Sequence, residues 1–260
     1  KSQPLAWRNS WDIPEMTKET EAAVVFGSGY LANIGTISAL MGKNDIIYSD
    51  ELNHASIIDG CRLSGARTRV FRHTDMDHLV SLLESDKGES VKKLIVTDTV
   101  FSMDGDLAPL TELTEISGKY GCMLMIDEAH ATGVMGRRGS GASEHFGVED
   151  RIPIVMGTLS KAVGSLGGYV AGRSQLIDYL RNRARSYIFD TSLPASCLAA
   201  SLTAINIIEN EPGRRDNLWS LVNVFKSGLE EIGLRVLPSH SPIVPVLIGE
   251  AGQTLRFASI

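Results

Sequence analysis

Gly157-Thr158-Leu159-Ser160-Lys161-Ala162-Val163-Gly164, with Gly167-Gly168 close behind, is the stretch on which the fold turns. Just before it, Ile152 to Met156 reads as a buried strand, because branched side chains suit a pleat covered on both faces. The strand runs into small and hydroxyl residues and delivers a single lysine. In an open α/β sheet, ligands sit beyond the carboxyl ends of the strands. A lysine held there loses hydration and is kept neutral enough to attack a carbonyl. Thr158 and Ser160 are short donors suited to an anion beside it. Most lysines are solvated surface groups, so the assignment depends on the rest of the chain.

Working outward, other strands end in polar residues. Cys122 to Ile126 is a nearly continuous apolar run that delivers Asp127-Glu128-Ala129-His130, and Lys93 to Thr97 ends at Asp98. Asp45 to Ser49 and Thr68 to Phe71 read as further strands, the first leading through Asp50-Glu51-Leu52-Asn53-His54-Ala55-Ser56 into a helix over Ile57 to Ser64. Asp75 to Leu83 places Met76, Leu79, Leu82 and Leu83 on one helical face, and Leu110 to Tyr120 is a helix stopped by Gly121. Near the start, the apolar run Ala22 to Phe26 breaks at Gly27-Ser28-Gly29, and Tyr30 to Met41 reads as a helix. Glycines directly before a helix leave backbone N–H groups free to cradle a phosphate.

This alternation predicts an α/β fold built on a mostly parallel, doubly wound sheet. Beyond Lys161, Gly168 to Ala171 reads as a strand, and Leu176 to Arg185, Pro194 to Ile208 and Leu218 to Ile232 as helices. The last of these carries Leu221, Phe225 and Leu229 at core spacing. Arg235 to Leu237 and Ile243 to Ile248 read as strands of another unit. The expected division is an unassigned segment over 1–20, a large domain over 21–211 and the start of a truncated small C-terminal domain over 212–260.

Composition narrows the function. The chain has 260 residues, 43% hydrophobic and 22% charged, with a formal net charge of −6, an ordinary globular balance with no basic field for nucleic acid or anionic membrane. Three cysteines, Cys61, Cys122 and Cys197, lie far apart, which argues against a disulfide framework or a zinc site and for a reducing compartment. No apolar run approaches the ~20 residues that span a bilayer. No apolar core of a signal peptide occurs in Lys1 to Ser10, so the cytoplasm is the expected location.

In a parallel sheet, the ends carrying Asp98, Asp127 with His130, and Thr158 with Lys161 share one rim. An acid, an imidazole, a lysine and a glycine turn on one rim suit pyridoxal phosphate. The lysine forms an imine, a carboxylate keeps the pyridine nitrogen protonated, and the turn and hydroxyls take the phosphate. A flat residue such as His54 suits the ring face. Local roles compete with this. A carboxylate after a strand often only caps a helix, as Asp98 would, and His54 could equally cap or pack locally. His73, His78, His145 and His240 read as surface or loop histidines, and Met123, Met125 and Met156 as core filler. Arg137, Arg138, Arg181, Arg183 and Arg185 read as solvated surface.

Four motifs together resemble the α-oxoamine synthases: Asp127-Glu128-Ala129-His130-Ala131-Thr132-Gly133, Thr158-Leu159-Ser160-Lys161, Asn53-His54-Ala55-Ser56 and Phe101-Ser102-Met103-Asp104-Gly105. This family comprises fold-type I, pyridoxal-phosphate-dependent enzymes that condense an amino acid with an acyl-CoA and release CO2. The resemblance runs in order from about Glu21 to Gly249. It implies that Lys161 carries the cofactor, that Asp127 meets the pyridine nitrogen, and that His130 bonds the phenolic oxygen. It implies His54 on the ring face and toward substrate, Ser102 and Thr158 as cofactor contacts, and Gly29 and Tyr30 as the backbone phosphate cradle. Asp98 matches an acidic residue close to the cofactor and substrate. Thr191 and Ser192 match hydroxyls that reach a neighbouring subunit's phosphate, which implies a homodimer with a shared active site. Relatives are longer at both ends, and the arginine that binds the substrate carboxylate would lie beyond Ile260.

Within the family, the Asp127 to Gly133 motif and Pro242-Ile243-Val244-Pro245-Val246 look most like the branch that condenses L-alanine with pimeloyl-CoA to 8-amino-7-oxononanoate in biotin synthesis. The Asp50 to Gly60 stretch and Gly167-Gly168-Tyr169 are shared with the branch that uses glycine and acetyl-CoA. An aminotransferase is a rival within the same cofactor class. A non-catalytic subunit of a heteromeric synthase is a rival outside it, but such subunits lose the lysine that is present here as Lys161.

Overall fold

In the computed structural model, which describes residues 20–259, the strands read around Lys161 lie side by side. Most of the unassigned 1–20 segment falls outside the described residues. The central strands are β4 (Lys93–Asp98), β5 (Met123–Asp127), β6 (Ile154–Thr158) and β7 (Gly168–Gly172), flanked by β1 (Ala22–Phe26), β2 (Ile46–Asp50) and β3 (Arg67–Phe71). Together they form one seven-stranded sheet in the order β1-β7-β6-β5-β4-β2-β3. All pairings are parallel except those of β7, which is antiparallel to both β1 and β6. The short Leu159 to Gly167 connection explains the exception: it turns the chain straight back, whereas a parallel return needs a crossover helix.

Period-2 alternation assigns the two faces. Ile46, Tyr48, Ile95, Leu124 and Ile126 pack under helices α3 (Met76–Ser85) and α4 (Leu110–Tyr120). Ile47, Leu94, Val96 and Met125 face the other way, toward α1 (Gly29–Leu40) and α2 (Ala55–Ser64). By the same alternation, Asp98 and Asp127 point toward the α1/α2 layer. Register sets them together, since Asp98 pairs with Asp127 and Asp127 with Met156, two residues before Thr158.

Where boundaries differ from expectation, backbone donors explain it. Strand β6 starts at Ile154 rather than Ile152 because Pro153 has no N–H for the ladder. Strand β5 starts after Cys122, whose N–H closes the end of α4 on the Ser117 carbonyl (2.9 Å), with Gly121 left-handed at φ 63°. The Leu176 to Arg185 helix is observed as α6 (Ser174–Arg183), and among the described residues the short α-helices α5 (Ala142–Phe146), α7 (Arg185–Ile188) and α10 (Ala251–Ala258) and a 3-10 turn over Glu149–Arg151 escaped the reading.

The long helices α8 (Ala195–Asn210) and α9 (Gly213–Glu231) follow, then β8 (Arg235–Val236) and β9 (Val246–Leu247), an antiparallel pair much shorter than expected. Helix α9 overturns the core assignment of Leu221 and Phe225, both of which are 57% exposed. It is anchored by its other side instead. Val222 and Arg215 are buried, Arg215 donates to the carbonyls of Ile208 and Arg137, and Trp219 Nε1 donates to that of Val134. Among the described residues, no helix is long and apolar enough to cross a membrane.

Candidate active site

The carboxyl ends of β4, β5 and β6 bring the predicted groups to one rim. Asp127 is 3% exposed; its Oδ2 accepts from Asn33 Nδ2 (2.7 Å) and its Oδ1 from the Ala129 N–H (2.8 Å). Burial pushes its pKa up, and those two hydrogen bonds pull against the shift. Asp98, also buried, is pushed well above the carboxylate range, first by burial and then by repulsion from Asp127. It accepts the backbone N–H of His54 at 2.7 Å. Asp98 therefore does meet a helix start, but that of α2, 44 residues away, rather than one following its own strand.

Lys161 follows β6 and extends its Nζ to 2.6 Å from His130 Nε2. Lost hydration lowers the lysine pKa, against the pull of Asp127 and Asp98. Burial, followed by the charges of Lys161 and His54, takes His130 down to about 4. A neutral imidazole that receives the lysine at Nε2 carries its own proton on Nδ1. The pair thus holds a nitrogen that gives up its proton more readily than an ordinary lysine.

Beside this group lies the glycine turn. Ser28 caps α1, its Oγ accepting the Leu31 N–H at 3.1 Å, and first-turn N–H groups have no partner inside a helix. A Cβ on Gly168 would lie 2.6 Å from Gly29 Cα and from the Ser28 carbonyl, so β7 presses its bare backbone against the turn. A Cβ on Gly29 would meet Thr158 at 3.4 Å. Thr158 Oγ1 donates to the Gly167 carbonyl (3.0 Å) and accepts from Ser160 Oγ (2.8 Å). This is an anion cradle in residue type and close approach, set next to an amine, with a buried carboxylate whose oxygens keep room for another donor. A phosphorylated aromatic aldehyde with a basic ring nitrogen fits that set of partners.

His54 caps α2, its Nδ1 accepting the Ser56 N–H at 3.2 Å, so the local role expected for it is real and coexists with its place on the rim. Tyr30 donates its hydroxyl to Asp59 at 2.5 Å. Ser102, Thr191 and Ser192 are exposed, and among the described residues no hydrogen bond ties their side chains to the Lys161 cluster. Asp190, just before Thr191, does approach the glycine turn, since a Cβ on Gly27 would lie 2.3 Å from Asp190 Oδ2.

Other expectations need correction. His73 is no idle loop residue: its ring nitrogens meet Asp50 Oδ1 (3.0 Å) and Asp106 Oδ2 (2.7 Å), and its edge meets Phe101. Arg138 is paired with Glu144 and Glu149, and Arg181 donates to the Ala23 carbonyl, so neither is simply solvated. Sequence reading missed Asn33, a polar residue buried in α1, and Glu128, which is fully buried and accepts the N–H groups of Ala142 and Ser143. An asparagine inside an apolar helix run was the only available signal for the first.

Residues 5–259 match the family model described as aminotransferase class I and II. The chain is 48% identical over 241 residues to an 8-amino-7-oxononanoate synthase of Symbiobacterium thermophilum, covering 93% of this chain and 62% of that protein. It is 50% identical to another from Geotalea daltonii, with 93% and 62% covered. The chain thus spans about three-fifths of the length of these curated relatives. Among solved structures, a serine palmitoyltransferase from S. paucimobilis with bound PLP–myriocin aldimine superposes with a TM-score of 0.92 at 34% identity, over 98% of this chain and 68% of that one. An 8-amino-7-oxononanoate synthase from Francisella tularensis gives 0.82 at 30% identity, over 99% and 75%.

Proposed function

Because the chain belongs to the aminotransferase class I and II family, and within it to the α-oxoamine synthases, we propose that it is a pyridoxal-phosphate enzyme condensing L-alanine with pimeloyl-CoA to 8-amino-7-oxononanoate. The observation that carries the reading is Lys161 Nζ, 2.6 Å from a neutral His130, beside the buried Asp127 and Asp98. The choice of substrates follows the synthases about half identical to this chain.

When bound, pyridoxal phosphate supplies an electron sink that stabilises negative charge on the amino acid's α-carbon. The chain's residues set the conditions for it. Asp127, kept an acceptor by Asn33 and Ala129, would hold the ring nitrogen, and a buried carboxylate there favours a protonated partner. The N–H groups of Gly29 and Tyr30 would hold the phosphate with Thr158, at the positive end of α1. His54 would cover the ring face and Ser102 contact the cofactor. Lys161, with its depressed pKa, is a competent base for the α-proton once its nitrogen is free, and His130 is placed to receive its hydrogen bond. Asp98 would sit by the substrate. Thr191 and Ser192 would serve the partner's site in a homodimer, in a cytoplasmic setting.

The test is reconstitution of the purified chain with pyridoxal phosphate. A visible absorption band is expected, absent in Lys161→Ala, together with CO2 release from L-alanine and pimeloyl-CoA. Release with glycine and acetyl-CoA alone would move the substrate assignment. Amino exchange with an oxoacid and no CO2 would overturn the condensation.

A further inference from the structure

A continuous hydrogen-bond chain runs from the face of the site to its floor. His54 Nδ1 lies 2.7 Å from Ser56 Oγ, Asn33 Nδ2 donates to that oxygen at 2.8 Å, and the same Nδ2 donates to Asp127 Oδ2 at 2.7 Å. The links join α2, α1 and β5 across 23 and 94 residues of sequence, so no local turn accounts for them.

Counting donors fixes every hydrogen in the chain. The Ser56 N–H donates to His54 Nδ1, so that nitrogen offers its lone pair and the neutral ring carries its proton on Nε2. Ser56 Oγ accepts from Asn33, and its own proton shares the Nδ1 lone pair with the Ser56 N–H. The Asn33 amide uses both N–H bonds, one on each side. Asp127 accepts at both oxygens, from Asn33 and from Ala129, which is the pattern of an ionised carboxylate. Turning the amide over would set Asn33 Oδ1 against Asp127 Oδ2, two acceptors face to face, and would require a proton on Asp127.

Asn33 Oδ1 supplies the second, independent observation. It is buried and has no hydrogen-bond partner. An unmet buried acceptor is a standing cost that a leucine of similar size would avoid, so packing alone does not favour asparagine here. The amide orientation is held by its two donor bonds.

We propose that Asn33 is a positioning residue whose amide couples the ionisation of Asp127 to the tautomer of His54. It holds Asp127 as an acceptor at the sheet rim and leaves Nε2–H as the donor that His54 presents. The titratable groups that face Asp127 are Asp98 on β4, Lys161 after β6 and His54 at the start of α2. The functional meaning of the coupling rests on the proposed cofactor reading. The hydrogen-bond geometry does not, since it belongs to the chain alone.

The experiment is NMR of the full chain free of cofactor, reading the imidazole nitrogen shifts of His54 and the carboxyl carbon titration of Asp127. The parent protein is expected to show only the Nε2–H form of His54. Asn33→Leu is expected to populate the Nδ1–H form substantially and to raise the Asp127 midpoint by about one pH unit, the size of one lost hydrogen bond to a charged group. Ser56→Ala keeps the backbone N–H on His54 Nδ1, so it is expected to keep the Nε2–H form and to leave Asp127 within a few tenths of its parent midpoint. A folded Asn33→Leu protein with both signals unchanged overturns the proposal. So does a folded Asn33→Ala protein with both signals unchanged, a variant that removes the amide without leucine's bulk and decides the matter even where Asn33→Leu does not fold. Failure of the parent protein to bind pyridoxal phosphate would instead sink the cofactor reading and leave these signals as they are.

Discussion

Asp86 and Asp127 are the same residue at nearly the same burial, 1% and 3% exposed, yet their chemistry is opposite. Asp86, after α3, receives Arg69 through two hydrogen bonds (2.7 and 3.2 Å), Arg67 and the hydroxyl of Tyr48. Burial alone would raise its pKa, but Arg69, Tyr48 and the two positive charges outweigh that and hold it below the usual value. Asp127 has an amide and one backbone N–H but, among the described residues, no cation in contact, and its pKa is pushed up. One carboxylate is fully answered by the fold, which makes it part of the framework. The other is left wanting a cationic donor, as its proposed role at a protonated ring nitrogen requires.

The sharpest break in this contrast is at the rim itself. Lys161→Ala should reduce CO2 release from the substrate pair by ~10⁴-fold or more, since it removes the proposed covalent anchor and base together. Its unfolding midpoint should match or exceed the parent's, because a partly desolvated amine is lost. Equal activity in the variant would end the assignment of Lys161.

Exchanging the two aspartates tests the comparison directly. Asp127→Asn should lower activity by ~10²–10³-fold while stability stays the same or rises slightly, since a buried charge is removed. Asp86→Asn should leave turnover near normal and lower stability by about 2–3 kcal/mol in urea unfolding. That is less than a fully buried pair would lose, because Arg67 and Arg69 keep much of their side chains in water. The pH response should separate as well. Asp86 has a depressed pKa, so its contribution is present above the unfolded carboxylate pKa and is lost as pH falls through its lower folded value. Asp127 and Asp98 have raised pKa values, so their penalty is absent in acid, grows as pH rises above the unfolded carboxylate value and is complete above the higher folded values. If Asp86→Asn flattened neither the acid limb nor the stability, the framework role would be wrong.

The same pair explains what could be read from the chain alone. Asp127 was legible because a strand pattern and a short motif place it within a few residues of its neighbours in function. The parallel sheet then supplies convergence with Lys161 by rule. Asp86 was not legible. Its partners Arg69 and Tyr48 lie 17 and 38 residues away, and only the β2/β3 register decides that they meet. Asn33 failed to show for a similar reason, since an apolar helix does not announce which of its faces looks at a carboxylate 94 residues on. Leu221 and Phe225 fit helical core spacing, yet spacing says nothing of which face finds a partner. Arg215 and Trp219 turn the other side of α9 inward. Local period and strand-end chemistry carry through sequence, whereas side-chain pairing between distant segments does not.

A smaller effect extends the contrast to a third site. His73 sits between Asp50 and Asp106, with Thr74 N–H also on Asp50 and Thr74 at a left-handed φ of 51°. Two carboxylate oxygens on the two ring nitrogens require both to donate, so this histidine belongs to the answered class only while it is charged. Burial opposes the charge, but the hydrogen bonds and attraction of Asp50 and Asp106 prevail and raise the pKa. The stabilisation is therefore complete below the unfolded histidine value and is lost as pH rises through the higher folded one. Its loss should loosen the connection that Asp106 ties down, where the Phe101 N–H reaches the Asp106 carbonyl and Val100 bridges Leu107. Amide exchange at Phe101 and Gly105, corrected for intrinsic rate, should quicken above that pH by an amount equivalent to about 1 kcal/mol. His73→Gln should show the faster exchange at every pH, with no step. A step retained in the variant would assign the pH response to another group and leave His73 a packing residue against Phe101.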